Sequence, residues 1–146
     1  MTYDMSWREV EKVLYVYPEI QLLLRLLNRT DTQFVAVAGR REGPGDPVAA
    51  VCQERANLRA VADIVDGVME TLTKAERALI RSKYFARKTW REAARDAEIA
   101  ERTAYEWRDR LIPRFQAAFR VLDDRKVAVF WQTYCRYFAV DKANGA

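Results

Sequence analysis

This chain of 146 residues predicts an all-α fold: a multi-helix bundle containing a helix-turn-helix and ending in an aromatic helix. Three observations carry that expectation. Apolar residues recur at three- and four-residue spacing along most of the chain. Three segments read as capping boxes: Ser6-Trp7-Arg8-Glu9, Thr73-Lys74-Ala75-Glu76 and Thr89-Trp90-Arg91-Glu92. In each, a hydroxyl and a carboxylate three residues apart can satisfy the free amides of a helix start. Finally, glycine and proline crowd into one polar stretch, with Gly39, Gly43, Pro44, Gly45 and Pro47 close together.

The elements follow in order. A helix is expected over about 7–16, and a second over about 18–27 with Ile20, Leu23, Leu24 and Leu27 at helical spacing. Pro18 suits a first helical turn and disfavours helical geometry at Tyr17, so a break or kink is expected between them. Residues 1–27 thus form an N-terminal helical segment and 28–47 a flexible linker that includes Arg40, Arg41 and Glu42. A long helix over about 48–69 carries Leu58, Val61, Ala62, Val65, Val68 and Met69. The box at Thr73 opens a helix whose inner face holds Leu79, Ile80, Tyr84 and Phe85. The box at Thr89 opens a short helix ending near Ala97, and another starts near Glu101 and reaches about Ile112, where Pro113 should end or bend it. In 120–146, Val127, Phe130, Trp131, Tyr134, Cys135 and Phe138 form one stripe of a last helix, which packs on its own chain or on a partner copy.

Composition narrows function. With no histidine, His-based acid–base catalysis, Ser-His-Asp and Cys-His nucleophile systems and His-ligated metals are excluded. Two cysteines, Cys52 and Cys135, cannot alone build a four-ligand zinc site or a disulfide framework, and read as reduced thiols in a cytoplasm. No apolar run reaches the roughly 18 residues of a membrane helix, and no signal-peptide pattern opens the chain. Catalysis, cofactors, metals and membranes are therefore not expected, and binding is. The charge says to what. Between Lys74 and Arg114 twelve basic residues face seven acidic ones, whereas the rest of the chain is nearly neutral. An excess confined to one segment attracts a polyanion through Coulomb forces and counterion release.

That segment also holds the motif. From Trp90 to Leu111, small or apolar residues fall at Ala93, Ala94, Ala97, Ile99, Ala104, Trp107 and Leu111, the burial pattern of a helix-turn-helix. Ala94 lets two helices cross closely, Ile99 plugs the turn, and Ala104 and Trp107 line the inner face of the second helix. Its outward face shows Glu101, Arg102, Tyr105, Glu106 and Asp109, with Arg108 at the edge and Thr103 between faces. Such a helix fits the major groove of double-stranded DNA. Arg102 can grip guanine by two hydrogen bonds, Glu101 or Glu106 can accept from cytosine, and Tyr105 can press on a thymine methyl. Arg91, Arg95, Arg108 and Arg110 can hold phosphates, and the Thr103 hydroxyl can reach one. Two features depart from the pattern: Ala97-Glu98 stands where glycine would ease a left-handed bend, and three acids sit on the exposed face.

The stretches Leu72-Thr73-Lys74-Ala75-Glu76-Arg77, Tyr84-Phe85, Trp90-Arg91-Glu92-Ala93-Ala94 and Ile99 to Arg108 resemble the terminal helix-turn-helix region of bacterial sigma factors. More closely, the order of a Tyr17-Pro18 step, a 28–47 linker, a long helix and a module over 73–119 is similar to the RinA/ArpU-type regulators of phage late genes. This resemblance implies sequence-specific DNA binding, transcriptional activation in the bacterial cytoplasm at the nucleoid, and the host RNA polymerase as a candidate partner. One module reads only about four or five base pairs, which argues for a homo-oligomer. Two rivals stand beside this expectation. A small terminase subunit would also carry a helix-turn-helix but would assemble into a ring. A protein-interaction bundle would not touch nucleic acid at all.

Overall fold

A computed structural model describes residues 3–38 and 47–138. Among them are six α-helices and no strand: α1 (Trp7–Ala38), α2 (Pro47–Thr71), α3 (Lys74–Ile80), α4 (Trp90–Asp96), α5 (Glu101–Phe119) and α6 (Asp124–Tyr137). A π-helical turn, Arg81–Phe85, continues α3.

Capping chemistry explains most of the starts. Both boxes at Thr73 and Thr89 form completely, each threonine accepting from the amide of the glutamate three residues on while that carboxylate takes the threonine amide. The box at Ser6 forms only by half. Ser6 accepts from the Glu9 amide at 3.1 Å, but the Glu9 carboxylate instead receives the Tyr3 hydroxyl and the Trp131 indole N–H. Asp123 caps α6 by accepting from the Lys126 amide at 2.8 Å.

Three sequence expectations need correction, all where a helix was expected to stop. Pro18 lies inside α1, with no break at Tyr17. The Tyr17 side chain is buried and stacks on Phe85 with centroids 4.8 Å apart, so packing on both sides of the proline holds the helix through it. Pro113 likewise lies inside α5. It faces solvent, where water can take the carbonyl it leaves unpaired, while Leu111, Ile112, Phe115 and Phe119 bury the opposite side. Nor does the helix end at Asn28: α1 runs on to Ala38, because nothing between Asn28 and Gly39 is a glycine or proline and polar residues alone do not break a helix. The rest of the expected linker, 39–46, lies outside the described residues, and Pro47 already opens α2.

The helices enclose two cores. The larger lies among α1, α2, α5 and α6 and is filled by Leu14, Ile20, Leu58, Tyr84, Phe115, Phe119 and Phe130. The smaller consists of Leu79, Ala93, Ala94, Ala97 and Ala104. Leu79 therefore parts company with Ile80 and Tyr84, which face the larger core. The aromatic stripe of α6 packs on its own chain. Val127 and Phe130 are buried, the Trp131 indole N–H donates to Glu9, and the Tyr134 hydroxyl donates to Glu19 at 2.6 Å.

Candidate nucleic-acid interface

The smaller core sets the geometry of α4 against α5. Only alanine side chains stand between their axes, so the backbones approach closely, with Trp90, Ile99 and Trp107 sealing the edges. The connection is a Schellman turn. The Ile99 amide donates to the Ala94 carbonyl at 2.9 Å and the Glu98 amide to the Arg95 carbonyl at 3.0 Å. Glu98 takes the left-handed conformation, φ 59°, at the place where the sequence lacks a glycine. The bend expected from the pattern thus forms, with a strained residue at its apex.

Facing away from that core, α5 presents charge. The Arg102 side chain is 93% exposed and Glu106 is 64% exposed, one turn apart and 3.6 Å from each other. The acids that stood out as a departure are each matched by an arginine. Glu101 lies 3.7 Å from Arg91 of α4, Glu106 pairs with Arg102, and Asp109 lies 2.9 Å from Arg108. In water such pairs contribute little to stability. Their effect here is that no carboxylate of this face stands as an unrelieved negative charge toward an approaching phosphate. Arg95 is exposed on the same side of α4. Thr103 is half-buried at the margin.

Not every candidate shares this face. Arg110 reaches back to α3, where it donates to Glu76 at 2.8 Å and lies 5.7 Å over the Trp107 ring. Burial alone would push the Glu76 carboxyl up, but donors from Thr73 and Arg110 outweigh it and hold it below its ordinary value. Arg108 turns into a cluster of rings, 5.2 Å from Tyr105 and 5.8 Å from both Trp7 and Trp90. Tyr105 is 37% exposed and its ring stands 5.3 Å from Trp90, so it joins the face partly covered by that ring. Arg91, Arg95, Glu101, Arg102, Tyr105, Glu106 and Asp109 therefore share one surface, whereas Arg108 is drawn into the ring cluster and Arg110, itself exposed, ties α5 to Glu76 of α3.

Sequence reading missed the support below α4. Lys88 Nζ lies 2.7 Å from Asp96, which also accepts from Ser82 at 2.9 Å, clamping the end of α4 to its start and to the π turn. The hydrogen bond with Asp96 pushes the Lys88 ammonium up, and the bonds from Lys88 and Ser82 hold Asp96 down. The nearest sequence signal was a lysine immediately before a capping threonine. No family model, curated protein or solved structure matches this chain. Among the described residues no helix is long and apolar enough to cross a membrane.

Proposed function

We propose that this chain is a sequence-specific double-stranded DNA-binding protein that activates transcription of phage late genes, with residues 101–112 of α5 lying in the major groove. One observation carries the reading: α5 buries alanine against α4 and turns Arg102 and Glu106, exposed and paired only with each other, outward from its first two turns. A recognition helix needs that division, since side chains near its start reach base edges while its inner face is held by the preceding helix. Arg102 reads guanine by two hydrogen bonds, Glu106 accepts from cytosine, and Tyr105 meets a thymine methyl or a sugar. Arg91 and Arg95 hold phosphates on either side and fix register. The positive excess between Lys74 and Arg114 steers the module to duplex DNA. Late-gene activation and contact with the host polymerase rest on the sigma-like and RinA/ArpU-like resemblance of residues 73–119. A single module reads few base pairs, so the protein acts as a homo-oligomer on paired half-sites.

The ring-forming terminase reading draws no support from the aromatic stripe of α6, whose Val127 and Phe130 are buried in the larger core and whose half-buried Trp131 and Tyr134 bond to α1. Selection of fragments from a random duplex pool by the full chain tests the proposal, with solution mass measured alongside. Enrichment of a two-part site by a dimer or tetramer is expected. A ring of about eight or more subunits would favour packaging instead, and no enrichment at low salt would contradict DNA reading altogether.

A further inference from the structure

A cleft of about 720 Å³ opens where α1, α2, α3 and the π turn meet, with no residue of α5 in its lining. Its two walls carry opposite charge. Asp66 and Glu70, one turn apart on α2, form one, and Arg77 and Arg81, one turn apart across the end of α3, form the other. Tyr17, Gln21, Met69 and Phe85 line the rest.

Like charges four residues apart repel along a helix, by about 0.2–0.5 kcal/mol per pair. This cleft holds two such pairs, and among the described residues neither Glu70 nor Arg81 reaches an opposite charge. Arg77 is turned to the Leu72 carbonyl at 2.8 Å. Asp66 accepts only a neutral donor, the Tyr17 hydroxyl, which itself accepts from Gln21 at 2.9 Å. Burial and then the charge of Glu70 push the Asp66 carboxyl up. The backbone contributes as well. Arg81 and Phe85 are the first and last residues of the π turn, a geometry whose extra residue redirects side chains and which recurs at functional sites.

We propose that this cleft binds a small zwitterion, its ammonium between Asp66 and Glu70, its carboxylate or phosphate on Arg77 and Arg81, and its apolar frame against Met69 and Phe85. A lone anion meets the carboxylate wall and a lone cation the arginine wall, so only a molecule carrying both charges satisfies both sides. The cleft is independent of the DNA reading and stands or falls apart from it.

The test is a molecular ruler: glycine, β-alanine, γ-aminobutyrate, δ-aminovalerate and ε-aminocaproate, titrated into the full chain and followed by backbone amide NMR shifts at constant ionic strength. Shifts should centre on 66–70 and 77–85, with affinity peaking at the chain length that spans the walls. Caproate and hexylamine, each with one charge, should bind about tenfold more weakly or worse. Glu70→Gln and Arg81→Gln alter exposed side chains, leave the fold intact and should each reduce the best affinity by about tenfold or more. Zwitterions that bind no better than the singly charged analogues, that bind not at all, or that bind both variants as well as the parent overturn the proposal.

Discussion

Tyr84, Phe115, Phe119 and Phe130 fill the larger core, while the smaller holds four alanines and one leucine. Each large ring removes enough apolar surface from water to contribute about 1.5–3 kcal/mol, whereas an alanine contributes little. An alanine allows something else, the close approach of two backbones. The contrast separates two tasks that one core cannot do equally well. The larger core, which also grips the later turns of α5, sets how stable the chain is, and the smaller sets how closely the first turns of α5 lie against α4. Trp90 and Trp107 touch both and so transmit the position of one to the other.

If that division holds, Phe115→Ala should have the largest effect on stability. It should lose about 3–5 kcal/mol in denaturant unfolding, yet leave DNA affinity unchanged in whatever fraction stays folded. Ala104→Leu should invert that pattern. Overpacking should destabilise by about 1–3 kcal/mol and displace α5, so that specific DNA binding disappears from a protein still folded by circular dichroism. A variant that binds normally would break the comparison.

Smaller effects sharpen it. Glu76→Gln keeps an acceptor for the capping box but replaces charge-assisted hydrogen bonds with neutral ones and, with the partly screened Arg110 pair discounted, should lose about 1 kcal/mol at neutral pH. The folded Glu76 carboxyl titrates below its ordinary value of 4.5, so its contribution is complete above that pH and is lost as pH falls through the lowered value. The gap between parent and variant should therefore close in acid, and a constant gap down to the lowest pH would show that charge is not involved. Glu98→Gly relieves a left-handed strain of about 1–2 kcal/mol against about 0.5–1 kcal/mol for the extra freedom of glycine in the unfolded chain, and should raise stability by up to about 1 kcal/mol, measured by thermal unfolding. Arg95→Ala should change stability by no more than about 0.5 kcal/mol, while the salt dependence of duplex binding should flatten by about one unit.

The region around α4 and α5 was the most legible part of the sequence because its determinants are local. A threonine and a glutamate three apart start α4, and alanines at helical spacing mark its crossing with α5. Even the left-handed apex at Glu98 follows from the length of the turn. The prolines misled, because their effect on a helix depends on what lies around them: Pro18 and Pro113 are carried inside helices whose other faces are buried. Long-range partners left no local trace. Tyr84 donates to Glu11 across 73 residues and Tyr134 to Glu19 across 115, and no spacing rule connects them. For the same reason Arg108 reads as a groove contact from its spacing, while Trp7 and Trp90, from separate parts of the chain, join the neighbouring Tyr105 around it.

The outward face of α5 as a reader of duplex DNA is tested most directly by Arg102→Ala. Its affinity should be compared with that of the parent chain on the selected site and on random duplex, across a range of salt. The variant should lose about 1–3 kcal/mol on the selected site, relax preference at one base pair and bind random duplex almost as the parent does. Equal affinity of parent and variant for the selected site would contradict the placement of α5 in the groove.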